Sequence, residues 1–249
     1  MKKNKLIKVI TSICFVFLLC GLSFVLAFSS ATNVSETSLY NTPSFTIYFV
    51  STAKSQLESE ALSLAKDAMN NDGGGYVWQK DNYYYVVSSA YENKNDAQLV
   101  SNSLTNENID NEIFEIEFSS LNLSPPISST ETKNTFNAGV HLFYTTYKDL
   151  FDISVSLDTN LYDETKALIE INRVEAKADE IMKNFHLVFG EISQPLVDSL
   201  EEAIIDENET LGLLSSNQKL TEKQTLISQI RYSYTKICAI YHNFLEKIK

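Results

Sequence analysis

The hydrophobic period of this 249-residue chain changes once, and that change limits what it can fold into. Between Phe45 and Phe118 apolar residues alternate over short runs, the spacing of half-buried strands. From about Lys133 to the end they recur every three or four positions, the spacing of amphipathic helices. In the first region Phe45 to Val50 (FTIYFV) suits a strand. Leu57, Ala61, Leu64, Ala65 and Ala68 then fall on one helical face, and Asn71-Asp72-Gly73-Gly74-Gly75 ends that helix. Tyr76 to Lys80 and Tyr83 to Ser89 are separated only by Asp81-Asn82, a tight hairpin. Asn93 caps a second helix, with Asp96 three residues on. Ile113 to Phe118 alternates strictly, with Phe114, Ile116 and Phe118 on one face. The order β-α-β-β-α-β predicts a four-stranded antiparallel sheet with both helices on one face. The other face is expected to be free.

In the second region Val140, Phe143, Tyr144, Tyr147, Leu150 and Phe151 form one stripe, and Ile171, Val174, Ala178, Ile181, Met182, Phe185 and Phe189 another. Pro195 occupies a first helical position. Thr221 with Gln224 forms a capping box for the last helix. Three or four such helices predict an antiparallel bundle over 133–249. Residues 121–132, stiffened by Pro125-Pro126, form the linker between the two regions.

Ahead of both regions, Val9 to Phe28 is an uncharged apolar run of twenty residues. At about 1.5 Å per residue it matches a hydrocarbon core of about 30 Å. Lys2, Lys3, Lys5 and Lys8 precede it, so the positive-inside rule keeps residues 1–8 in the cytoplasm and exports the rest. The expected fold class is therefore α+β with a transmembrane helix over 9–28, a linker over 29–43, the βαββαβ sheet over 44–120 and an all-α helical bundle. The chain is expected in the cell membrane, single-pass, with its C-terminal domains extracytoplasmic.

Charge and residue types narrow the function. A net charge of −12, reached despite those four lysines, excludes a nucleic-acid partner. Cys14 and Cys20 lie in the apolar run, so Cys238 has no intrachain partner. His141, His186 and His242 lack metal-ligand spacing, and Cys238 lacks a base beside it. No catalytic residue, metal or cofactor is expected. The outstanding feature is aromatic density around the hairpin: Tyr76, Trp78, Tyr83, Tyr84, Tyr85 and Tyr91. If Tyr84 and Val86 face the helices, alternation turns Tyr83, Tyr85 and Val87 to the free face. Tyr48 and Trp78 are expected to join them.

The run from Tyr84 through Val86, Ser89 and Tyr91 to Asp96-Ala97 resembles the second half-repeat of the SPOR domain family, and Phe45 to Ala61 the first. The resemblance covers residues 43 to 120. It implies binding of peptidoglycan glycan strands in the cell envelope, linked to cell division or sporulation, with Tyr48, Trp78, Tyr83, Tyr85 and Val87 as candidate contacts. Where the family often has Arg on the third strand, this chain has Tyr85 and Val87. The bundle is expected to take a protein partner or act as a spacer. The alternative reading is a structural adaptor whose sheet face and bundle serve protein contacts without glycan binding.

Overall fold

The computed structural model describes residues 40–126 and 129–249. Strand β1 (Tyr40–Asn41) is followed by β2 (Phe45–Ser55), α1 (Glu58–Met69), β3 (Tyr76–Lys80), β4 (Tyr83–Tyr91), α2 (Lys94–Asn106), β5 (Glu112–Phe118) and β6 (Asn122–Leu123). Four long helices complete the chain: α3 (Thr130–Asp158), α4 (Glu164–Phe189), α5 (Pro195–Ser215) and α6 (Leu226–Lys247). The four main strands lie in the order β3-β4-β2-β5, every pair antiparallel. The β3–β4 hairpin turns on Asp81 and Asn82, at φ 50° and 64°; left-handed values at both positions match the twist of paired strands.

Two sequence expectations are corrected here. The fold class is α+β, but among the described residues no helix is long and apolar enough to cross a membrane, because all six helices carry charged faces. The run 9–28, expected as a transmembrane helix, lies outside the described residues, as do residues 1–8. The capping box at Thr221 does not open the last helix. α6 starts at Leu226 with Thr225 as its cap, while the Thr221 hydroxyl donates to Asn70 Oδ1 at 2.7 Å.

The described parts of the two segments expected as linkers, 40–43 and 121–126, meet. Tyr40 pairs with Leu123 and Asn41 with Asn122, and the Thr42 N–H donates to the Leu121 carbonyl at 3.0 Å. On one face of the sheet, which we call convex and its opposite concave, α1 and α2 pack with small residues, Ala61 and Ala65 against Val86, and Ala97 fully buried. The concave face was expected to be free and is not. Phe49, Ile47, Val87, Ala90 and Phe118 belong to one buried cluster with Phe143, Tyr147, Tyr234 and Tyr241 of α3 and α6. Tyr241 stacks 5.6 Å from Phe118 and 5.2 Å from Phe143, joining sheet and bundle in one core.

The joint is anchored by the triple glycine. The chain leaves α1 at Met69, and the Gly74 and Gly75 N–H groups donate to the carbonyls of Ser88 and Val87. A Cβ on Gly74 would stand 2.9 Å from the Arg231 carbonyl carbon and 3.0 Å from the Tyr232 nitrogen, so glycine alone lets α6 lie this close. The Ser228 hydroxyl donates to the Gly73 carbonyl, Thr225 to Asp72 Oδ1, and Arg231 to the Asp72 carbonyl at 2.8 Å.

Candidate functional site

Strand pairing brings Trp78 beside Tyr85, Lys80 beside Tyr83 and Lys54 beside Tyr85, all on the concave face. The aromatic rings there turn on one another rather than to solvent. Phe49 lies 4.8 Å from Trp78 and 5.2 Å from Phe114, and Tyr85 lies 4.8 Å from Phe114. Two lysines close the strip: Lys54 Nζ sits 5.6 Å from the Tyr83 ring, and Lys80 Nζ sits 5.5 Å from Phe114 while donating to the Glu115 carbonyl. The far end of the face is roofed by α6, whose His242 ring lies 5.7 Å from Trp78.

Of the five residues expected to face a ligand, three are buried: Trp78 is 5% exposed, Tyr85 9% and Val87 0%. Tyr83 is half-buried, with its hydroxyl accepting from Gln56 Nε2 at 3.2 Å. Tyr48 is on the opposite face. It sits between Ile47 and Phe49, pairs with Tyr91 and Glu115, and carries Lys94 Nζ 5.8 Å from its ring. Register shifts around Val50, Ser51 and Ala53 leave Ser88 and Thr52 without partners, so strand parity reverses partway along the β2–β4 pair. Counting from Tyr83 by twos therefore reaches the wrong face beyond Val87. Ala90, not Tyr91, points into the concave core, where its N–H donates to the Tyr234 hydroxyl oxygen at 3.4 Å.

The aromatic strip does reach the surface, at the open edge of β3. A groove of about 710 Å³ runs between α1 and α6 along that edge, a volume in the range of small-ligand sites. Tyr76, Trp78, Tyr84 and Tyr232 line it, with Gln79, His242 and Asn243 as polar partners. Tyr76 meets Tyr232 edge-on at 5.6 Å, and burial pushes its phenol up to about 12. Burial also lowers the His242 pKa, so its imidazole is neutral at pH 7 and offers one donor and one acceptor. Glu58 and Lys66 stand at the α1 wall. Sequence reasoning found Trp78 and the density of tyrosines but missed Tyr232, His242 and Asn243, which approach only because α6 crosses the sheet. The unused signal was on α6 itself, where Tyr232 and His242 lie off its apolar stripe.

The other polar groups with chemical potential are sealed. Cys238 is buried, and burial pushes its thiol up, away from a reactive thiolate. Glu207 lies fully buried in the bundle, neither carboxylate oxygen having a hydrogen-bond partner of normal geometry. Burial pushes it up to about 8, offset in part by the Thr146 hydroxyl.

No family model matches the chain, and no curated protein matches it. Among solved structures it is similar to the peptidoglycan binding domain of the B. subtilis cell wall lytic enzyme CwlC, determined in solution. The identity is 26% over 31% of this chain and 99% of that domain, with a TM-score of 0.27.

Proposed function

We propose that this protein is a non-catalytic binder of peptidoglycan glycan strands, acting outside the cytoplasm through its βαββαβ region. The observation that carries the reading is the β3-edge groove. Four aromatic rings and three neutral hydrogen-bonding side chains share one cleft, the combination that stacks on sugar rings and bonds their hydroxyl and amide substituents. The SPOR-like residue pattern from Tyr84 to Ala97 supports the same assignment. The charge weighs against a polyphosphate ligand, which a strongly acidic chain repels.

Sedimentation with purified sacculi tests the proposal. Tyr232→Ala and Asn243→Ala each remove one groove contact, and each is expected to weaken binding about fivefold, from about 1 kcal/mol per contact. An intact protein that never sediments with sacculi, with or without their stem peptides, refutes the reading. The adaptor alternative then takes its place. One observation favours that alternative: α6 already occupies the concave face, as it would if the sheet served to mount the bundle for a protein partner.

A further inference from the structure

We infer that α6 is a releasable cover over the concave sheet face, displaced when a glycan strand moves from the β3 groove onto Trp78, Tyr85 and Val87. The inference rests on the glycan reading above.

Three features support it. The groove is continuous with the covered face, because Trp78 lines the one and is buried under the other, and α6 supplies both the groove wall and the roof. The start of α6 is held by polar bonds beside the buried side chains of Leu226 and Ile230. Thr225, Ser228 and Arg231 bond the 72–73 turn, and Arg231 also pairs with Asp158 at 2.6 Å. Water can replace each of these bonds at small net cost.

The third feature is a concentration of buried polar atoms without partners around α6. These are Gln229 Oε1 on the helix, the Glu207 carboxylate from α5 and Gln224 Nε2 just ahead of α6. Lifting the helix would return most of them to water, offsetting part of the ring packing lost. What would be uncovered is itself fit to bind: the roofing rings Tyr241 and His242 sit against Phe118 and Trp78 much as sugar rings would. The cover therefore has water-replaceable bonds at its start, polar groups without partners along it and an aromatic surface under it.

The test uses the full chain with purified sacculi as probe. Arg231→Ala cuts the bonds to Asp72 and Asp158. Gly74→Val drives a side chain into the α6 backbone. Both are expected to bind sacculi at least fivefold more tightly than the unaltered protein, and α6 amides of the unaltered protein should exchange hydrogen faster once sacculi are added. Binding by the unaltered protein with α6 protection unchanged, and no gain in either variant, overturns the cover while leaving the groove site in place. Should Gly74→Val fail to fold, Arg231→Ala alone decides. Failure of all three forms to bind removes the glycan reading, and the cover with it.

Discussion

The two faces of the sheet are built on different principles. The convex face holds α1 and α2 through Ala61, Ala65, Ala97 and Val86, small side chains that let helix backbones lie close and bury little area each. The concave face carries Phe49, Trp78, Tyr85, Phe114 and Phe118, and it shares them with Tyr241 and Phe143 of the bundle. A buried aromatic residue removes 150–250 Å² from water, several times what an alanine does. Most of the sheet's stabilisation must therefore come from contacts with helices that follow it in the chain. A sheet with two helices on one side only would expose those rings to water. Here the third layer is supplied by α3 and α6.

The strongest way to break that asymmetry is Phe49→Ala on the concave face. Phe49 is fully buried against Trp78 and Phe114, and truncating a buried ring costs about 3–5 kcal/mol. If sheet and bundle share one core, the loss belongs to both. Trp78 is the only tryptophan, so its fluorescence reports the sheet, while the far-ultraviolet helical signal is dominated by α3 to α6. In urea both signals should shift together to a lower midpoint. A variant in which fluorescence is lost first and helicity persists would show that the bundle does not depend on the sheet.

Much of this arrangement was legible in the residues. Alternation at Ile113–Phe118, the Asp81-Asn82 turn and the helical stripes lead to βαββαβ followed by three or four helices, of which the structure has four, and Pro195 marks a helix start as expected. Local pattern suffices where one side chain decides one local geometry. It fails for Tyr48, because a bulge leaves no mark in an apolar–polar alternation, yet it reverses every later side chain. It fails for the groove and the roof because α6 is buried on more than its apolar stripe. Ser228, Gln229, Ser233 and Thr235 are buried there too, and polar residues read as solvent-facing in any periodicity. Gly73-Gly74-Gly75 was legible as a turn, but its role as a seat for α6 depends on a partner about 155 positions away.

A second, smaller effect sharpens the comparison by acting inside the bundle. Glu207 has a folded-state pKa raised by burial to about 8, whereas an unfolded glutamate ionises near 4.5. Below about 4.5 both states hold the proton and stability is flat. As pH rises from there the unfolded chain releases its proton first, so stability falls until about pH 8, where the folded state ionises too. The expected loss is about 2–4 kcal/mol across that window. Glu207→Gln should abolish that component of the slope, as measured by urea midpoints at pH 5 and pH 8. A retained slope of the same size would assign the pH dependence to other groups.

The smallest expected effect is on the convex face, and it tests whether the contrast between the faces is one of energy or only of residue size. Ala61 lies on α1 with no exposed surface and packs against Val86 of β4. Ala61→Gly removes one methyl group and adds backbone freedom to a helix interior, together costing about 1–2 kcal/mol. If α1 is held only by such small contacts, that change should loosen the helix locally. Its amides would exchange faster while the urea midpoint of the Trp78 signal moves little, because the concave core is intact. A drop as large as that of Phe49→Ala, with both signals moving together, would mean that the convex layer is as necessary to the sheet as the aromatic one.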